Sequence, residues 1–237
     1  SFSNNSGSQI RPTKMLNAFK EIGYQVDTVT GYGKERKKSI ESIKSKINNG
    51  LKYDFMYSES STMPTLLTEP HHFPSYPFLD FSFFKFLKKN NIKLALFYRD
   101  VYWNFDNLYD IKKYKKIFAK LFYLWDLYNY NDLLDILYLP SVKMNNYIPY
   151  NFDIPIDELP SGIDAIKQNP ILDNNELNIF YVGGISKAYN LKKIFATIAE
   201  LDFVNLTICT RKKDWLEVKG VYKKYVNDNI RIVHESG

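Results

Sequence analysis

The chain has 237 residues, 45% hydrophobic and 16% aromatic, with 32 basic against 26 acidic side chains and a single cysteine, Cys209. That length can bury two cores, and a lone cysteine excludes an intrachain disulfide and fits a reducing compartment, read here as cytoplasmic. No apolar run is long enough for a transmembrane helix, the polar start SFSNNSGS is unlike a signal peptide, and a net charge of +6 suits anionic substrates, acidic lipid headgroups or nucleic acid without singling one out.

Ser1 to Arg11 reads as a polar loop containing Gly7, with Pro12 placed to open a helix. Met15, Leu16, Phe19 and Ile22 give that helix an apolar face, and Gly23 stops it. Tyr24 to Thr30 alternates and is β-rich, which predicts a strand ending at Gly31. A further strand is expected before Ser1. Lys34 to Asn49 is a charged helix with Ile40, Ile43 and Ile47 on one side. Tyr53 to Tyr57 is the next strand and runs into the polar loop SESSTMP. Leu79 to Asn90 is an aromatic helix, and Ile92 to Tyr98 a strand followed by Arg99-Asp100-Val101-Tyr102-Trp103. The sustained alternation predicts a mostly parallel sheet.

Ile111, Tyr114, Phe118, Leu121, Trp125 and Tyr128 recur at helical steps, with Lys112, Lys113, Lys115, Lys116 and Lys120 around the start. The plainer reading is a core helix with a solvated lysine face. The functional one is a peripheral membrane contact through 111–128 at the inner face of a membrane. Asp135 to Leu139 is a strand, and Tyr147 to Pro160 is proline-rich and irregular. The composition places a domain boundary there, giving 1–160 and 161–237. A fresh series then opens with Ile179-Phe180-Tyr181-Val182, Gly183-Gly184, an amphipathic segment carrying Leu191, Ile194, Phe195, Ile198 and Leu201, and the run Leu206 to Cys209 ending at Arg211. This is a βαβ unit. The series stops about three strands in, so the second domain reads as incomplete.

Open α/β sheets bind ligands beyond the carboxyl ends of their strands. Gly183 and Gly184 allow a close backbone approach, a following helix start would offer N–H groups to a phosphate, and Arg211 falls on the same edge. The plainer reading is an ordinary βα turn with a solvated arginine. In the first half, three strand-end or loop clusters stand out: Gly7-Ser8 with Arg11; Glu59 among Ser58, Ser60 and Ser61; and Arg99-Asp100 with Trp103. A carboxylate and an arginine beside an aromatic ring suit a polyol. The plainer readings are a local ion pair at Arg99-Asp100 and a solvated loop at Glu59. His71-His72 near Glu69 lacks metal-ligand spacing, so no metal is expected. There is no Asp-x-Asp, P-loop, G-x-S-x-G or kinase signature, no dinucleotide fingerprint, and no nucleic-acid-binding motif.

SGSQIRPTKMLNAFKEIGYQVDTVTGYG resembles the first loop, helix and strand of the GT-B glycosyltransferases, above all the large retaining group (group 1) related to glycogen and sucrose synthases. Its G-x-x-V-x-x-V-T falls on Gly23, Val26, Val29 and Thr30. LPSGID, from Leu159 to Asp164, resembles the family's P-N-G-V-D linker, and FYVGGISKAYNLKKIF the opening F-x-G-R-x-x-x-K-N-L of its donor domain. The resemblance implies two Rossmann-like domains with parallel sheets flanked by helices, facing across a cleft. It implies metal-independent transfer from a nucleotide-sugar, as substrate and not cofactor, to a glycan or lipid-linked acceptor in polysaccharide assembly. By position it puts Gly183, Gly184, Gly7 and Ser8 at the donor diphosphate. Arg211 or Lys187 would supply the charge missing where Gly184-Ile185 replaces the family's glycine and basic residue. Arg11, Glu59, Arg99, Asp100 and Trp103 are the acceptor-side candidates. Arg99-Asp100 stands where many relatives carry His-Asp, so Asp100 and Arg99 are the catalytic candidates. The family's glutamate-rich donor motif would fall after Gly237. The alternative is a non-catalytic GT-B-like accessory subunit that binds a nucleotide, a glycan or a partner glycosyltransferase.

Overall fold

The computed structural model describes residues 7–105, 113–162, 177–186 and 189–234. These fall into two compact units, each with its own sheet.

In the N-terminal unit, helix α1 spans Gly7–Glu21 and α2 Gly33–Asn48. Strand β1 is Phe55–Glu59, α3 Leu79–Lys89 and β2 Lys93–Phe97. Helix α4 is Lys113–Leu133, β3 Ile136–Leu139 and β4 Ile156–Glu158. The sheet runs β1-β2-β3-β4 with every pairing parallel. Its register sets Glu59 beside Phe97 and Phe97 beside Tyr138, so the strands end along one edge. Leu94, Leu96, Leu137 and Leu139 alternate into the core, against Phe81, Phe84 and Leu87 of α3 and Tyr123, Leu127 and Tyr130 of α4.

In the C-terminal unit, β5 is Leu177–Val182, α5 Lys192–Ile198, β6 Val204–Cys209, α6 Lys212–Tyr222 and β7 Ile230–Val233. The sheet runs β5-β6-β7, again parallel. Phe195, Leu206, Ile208, Tyr222 and Ile230 form a separate core. The parallel α/β architecture expected from the alternation is therefore the one observed.

Four local expectations are corrected. Gly7 to Arg11 is not a loop: α1 begins at Gly7, and Pro12 stands inside it. Tyr24 to Thr30 joins no ladder among the described residues. It is held by side chains instead: Tyr24 packs edge-on against Phe55, and Asp27 accepts from Lys46 and from the Tyr53 hydroxyl. The proline-rich segment contains β4. Pro149, Pro155 and Pro160 all lie outside the strand, and Pro155 contributes its carbonyl to the Leu137 N–H, so none is a missing ladder donor.

The fourth concerns α4. Tyr114, Phe118, Leu121 and Tyr128 face solvent, and Ile111 lies outside the described residues. The core face is Ala119, Tyr123, Leu127, Tyr130, Leu133 and Leu134. Two apolar stripes share this helix, and the more regular one is on the outside.

The long connection from Ser60 to Phe78 is fixed by buried charge. Glu69 accepts the Gly33 N–H at 2.6 Å. Arg36 binds Asp80 at 3.1 Å, with Thr68 at 3.3 Å from the same guanidinium. A Cβ on Gly33 would lie 2.1 Å from the Tyr76 ring, so the α2 N-terminus and this loop fit only with glycine there.

Candidate functional site

Each sheet gathers polar groups at the carboxyl ends of its strands.

On the N-terminal sheet the centre is Glu59, the last residue of β1. The period-two pleat places Tyr57 on the same face, and its hydroxyl donates to Glu59 Oε1 at 3.1 Å. Arg11, from α1, brings its Nε to 3.4 Å from Oε1, and Arg99, just past β2, donates to Oε2 at 3.3 Å. The Arg11 guanidinium also lies 3.8 Å from the centre of the Phe97 ring, and its terminal nitrogen donates to the Leu159 carbonyl at 3.4 Å. Ser60 ties the strand ends together: its N–H donates to Phe97 and its hydroxyl accepts the Arg99 N–H. One carboxylate thus sits between two guanidiniums, and the Nε groups of Arg11 and Arg99 have no hydrogen-bond partner. Burial raises the Tyr57 phenol well above its ordinary range, with the Glu59 charge adding to it, so Tyr57 stays a neutral donor.

Asp100 is half-buried beside Arg99. Burial pushes its carboxyl up, while the Tyr102 N–H and the Arg99 charge hold it partly down. Trp103 is displaced from the expected role as a sugar platform. It is 2% exposed, stacked on Tyr123 at 4.6 Å, and donates its indole N–H to the Tyr98 hydroxyl at 2.9 Å. A tryptophan has one polar atom, and here a buried phenol has claimed it. Of the predicted acceptor-side residues, the structure brings Arg11, Glu59 and Arg99 together, sets Asp100 next to them, and buries Trp103. Gly7 and Ser8 open α1.

On the C-terminal sheet, β5 pairs with β6 so that Val182 lies opposite Cys209. Gly183-Gly184 and Thr210-Arg211 therefore leave the same edge together, as expected from their positions. The Gly183 N–H extends the ladder to the Cys209 carbonyl. Tyr181 folds back beneath the glycines, its hydroxyl donating to the Gly184 carbonyl at 2.9 Å. A Cβ on Gly183 would meet that hydroxyl at 2.8 Å. Arg211, 75% exposed, is clasped by Asp214 in the first turn of α6, at 2.8 Å.

The amphipathic segment expected a few residues after the glycines is helix α5, which begins at Lys192 and is seven residues long, ending before Leu201. Its first N–H groups are already engaged. Asn190 Oδ1 accepts the Lys192 N–H there, and the Tyr222 hydroxyl accepts the Leu191 N–H. Lys187 lies outside the described residues. Sequence reasoning missed Thr210, whose buried hydroxyl has no partner, and His234, whose ring meets the Thr210 carbonyl at 2.9 Å. Their place at the ends of β6 and β7 was the available signal.

The histidine pair is exposed. His71 Nδ1 accepts the Phe73 N–H at 3.1 Å, and His72 Nδ1 approaches the Leu67 carbonyl at 3.1 Å. Among the described residues no group of three or more His, Cys, Asp or Glu side chains could hold a metal ion.

No family model and no curated protein matches this sequence. Solved structures do. Anabaena Alr3699/HepE, solved in complex with UDP-glucose, matches with a TM-score of 0.52 at 10% identity, over 95% of this chain and 59% of that one. S. aureus MnaA with UDP matches with a TM-score of 0.39 at 14% identity, over 99% of this chain and 60% of that one. Acinetobacter baumannii MurG matches with a TM-score of 0.36 at 11% identity, over 93% and 54%. The chain thus spans between 54% and 60% of the length of these structures. The fold is that of the GT-B class, with parallel sheets flanked by helices. The particular protein to which the likeness is strongest among these three is HepE, and at 10% identity the likeness is one of fold.

Proposed function

We propose that the chain acts as a GT-B glycosyltransferase, moving a sugar from a nucleotide-sugar to a glycan or lipid-linked acceptor without a metal ion. The supporting observation is the carboxyl edge of β5-β6-β7, where Gly183-Gly184, Thr210 and Arg211 converge in a fold shared with a protein that holds UDP-glucose.

In this reading the Gly183-Gly184 backbone and Arg211 receive the diphosphate. Arg211 exchanges Asp214 for phosphate oxygens and stabilises the charge that develops on the leaving group. The bond between the anomeric carbon and the diphosphate oxygen breaks, and its electron pair leaves with the diphosphate. An acceptor hydroxyl forms the new bond to that carbon. Its proton passes to the departing phosphate. The Arg11–Glu59–Arg99 edge, with two guanidiniums to one carboxylate, suits an acceptor carrying an anionic group.

One observation favours the accessory-subunit reading. Ile185, where the resembling family carries a basic residue, is buried in the core of its unit, so Arg211 alone among the described candidates is left to meet the phosphates. Thermal shift of the full chain with UDP, GDP, ADP and CMP, with and without EDTA, tests the proposal. A rise in Tm with one nucleotide that survives EDTA and shrinks in Arg211→Ala supports it. No rise with any of them moves the weight to the accessory subunit.

A further inference from the structure

Helix α4 turns about 100° per residue. On that wheel Tyr114, Ile117, Phe118, Leu121, Trp125 and Tyr128 form one stripe, diametrically opposite the core residues Ala119, Tyr123, Leu127 and Tyr130. Phe118 is 60% exposed and Tyr128 is 62% exposed. The stripe runs about 21 Å along the helix. It continues into an apolar hollow against α3, lined by Phe78, Phe81, Trp125 and Tyr128 with Lys85 at its rim. Lys115 falls on one flank of the stripe and Lys120 on the other, both exposed. The acidic residues of α4 are Asp126, buried in the core, and Asp132, exposed at the C-terminal end of the stripe one turn beyond Tyr128. The outward face is therefore aromatic along its middle and cationic along its sides.

Soluble helices rarely expose such a face without a use for it. A helix with lysines beside an aromatic and aliphatic stripe matches the boundary of a lipid bilayer. The rings enter the headgroup region, and the lysine stems lie along the apolar surface while their ammonium groups reach anionic phosphates. Charge separates this occupant from a second copy of the chain. A two-fold contact through the same stripe brings each lysine flank against its own equivalent, and the one carboxylate of α4 on that face, Asp132, lies a turn beyond Tyr128 at the end of the helix and not between the lysines.

We propose that the outward face of α4, together with Phe78 and Lys85, docks the protein on an anionic lipid surface. This inference is independent of the catalytic reading, since it involves none of the residues at either sheet edge.

Flotation of the full chain with vesicles of phosphatidylcholine alone, and with phosphatidylglycerol added, tests it. Partition into the anionic vesicles alone is expected. Lys115→Gln with Lys120→Gln is expected to lower that partition on the order of thirtyfold, at about fivefold per lysine near an anionic surface. Phe118→Ser with Leu121→Ser is expected to lower it about tenfold or more through lost apolar burial. Both pairs sit on the exposed face, so an unchanged Tm shows that the fold is intact. No flotation, or equal flotation with both vesicles, overturns the proposal. So does sedimentation showing a dimer that Phe118→Ser dissolves, which would assign the face to a second copy.

Discussion

Asp126 lies on the inner face of α4 and is 4% exposed. Its Oδ2 accepts the Thr65 N–H at 2.7 Å, and its Oδ1 is buried with no hydrogen-bond partner. Burial pushes its carboxyl up from 3.8 to about 7; Thr65 opposes that rise and the nearby Asp80 adds to it. In the unfolded chain the group ionises near its ordinary value. Between about pH 4 and about pH 7 the folded state therefore holds a proton that the unfolded state has released. The contribution of Asp126 is fully present below that window, falls as pH rises through it, and is flat above. A shift of roughly three units at about 1.36 kcal/mol each makes the fall about 4 kcal/mol. Asp126→Asn keeps the shape and an oxygen for Thr65 but cannot ionise. The variant should match the parent near about pH 4 and exceed it by about 4 kcal/mol near about pH 8. Urea unfolding followed by tryptophan fluorescence measures both. A Trp215→Phe background leaves only Trp103 and Trp125, which share a unit with Asp126. Subtracting one pH curve from the other cancels every other titrating group. A difference between the two proteins that stays constant with pH refutes the reasoning.

The two faces of α4 predict opposite outcomes from the same substitution. Leu127→Ala should cost about 2–5 kcal/mol and Leu121→Ala less than about 0.5 kcal/mol, read in the same unfolding experiment. Glu59→Ala leaves two part-buried guanidiniums facing each other and should cost about 3–5 kcal/mol. Gly33→Ala drives a Cβ into the Tyr76 ring and should cost about 1–3 kcal/mol, with Tyr76→Ala as the second substitution that relieves the clash; thermal melts of the three proteins check it. Tyr181→Phe removes the bond to the Gly184 carbonyl and should cost about 1 kcal/mol, while weakening binding of whichever nucleotide shifts the parent's Tm.

Much of the architecture was legible because hydrophobic period and glycine punctuation carry it. Ile92 to Tyr98, bounded by turn residues, could only be a buried strand, and the regular spacing of Ile40, Ile43 and Ile47 marked α2. The misreadings share a cause. Tyr24 to Thr30 has strand chemistry, but a strand exists only with a ladder partner, and periodicity does not supply one. The 111–128 pattern reports that one face of a helix is apolar, and it is silent on whether the core takes that face or the opposite one. Tyr123, Leu127 and Tyr130 won because they pack against Phe81 and Trp103, a match of shape that lies in the tertiary structure. At the sites, Arg99 and Glu59 were visible as charges at strand ends. That Arg11 would reach the same carboxylate from α1 depended on a helix start that the loop-like sequence Ser6-Gly7-Ser8 concealed. Trp103 looked like a binding ring because it followed Arg99-Asp100, but the 3-10 helix Tyr102–Asn104 carries it into the core.

The proposed function requires that the carboxyl edge of β5-β6-β7 receive a nucleoside diphosphate. Calorimetric titration of the full chain with UDP-glucose and with UDP, set beside Arg211→Ala and Thr210→Val, tests it most directly. Saturable binding to the parent that weakens about tenfold or more in Arg211→Ala, through the loss of a charge-assisted contact, is the result predicted. Binding of equal strength in the parent and both variants would place the nucleotide elsewhere and contradict the account.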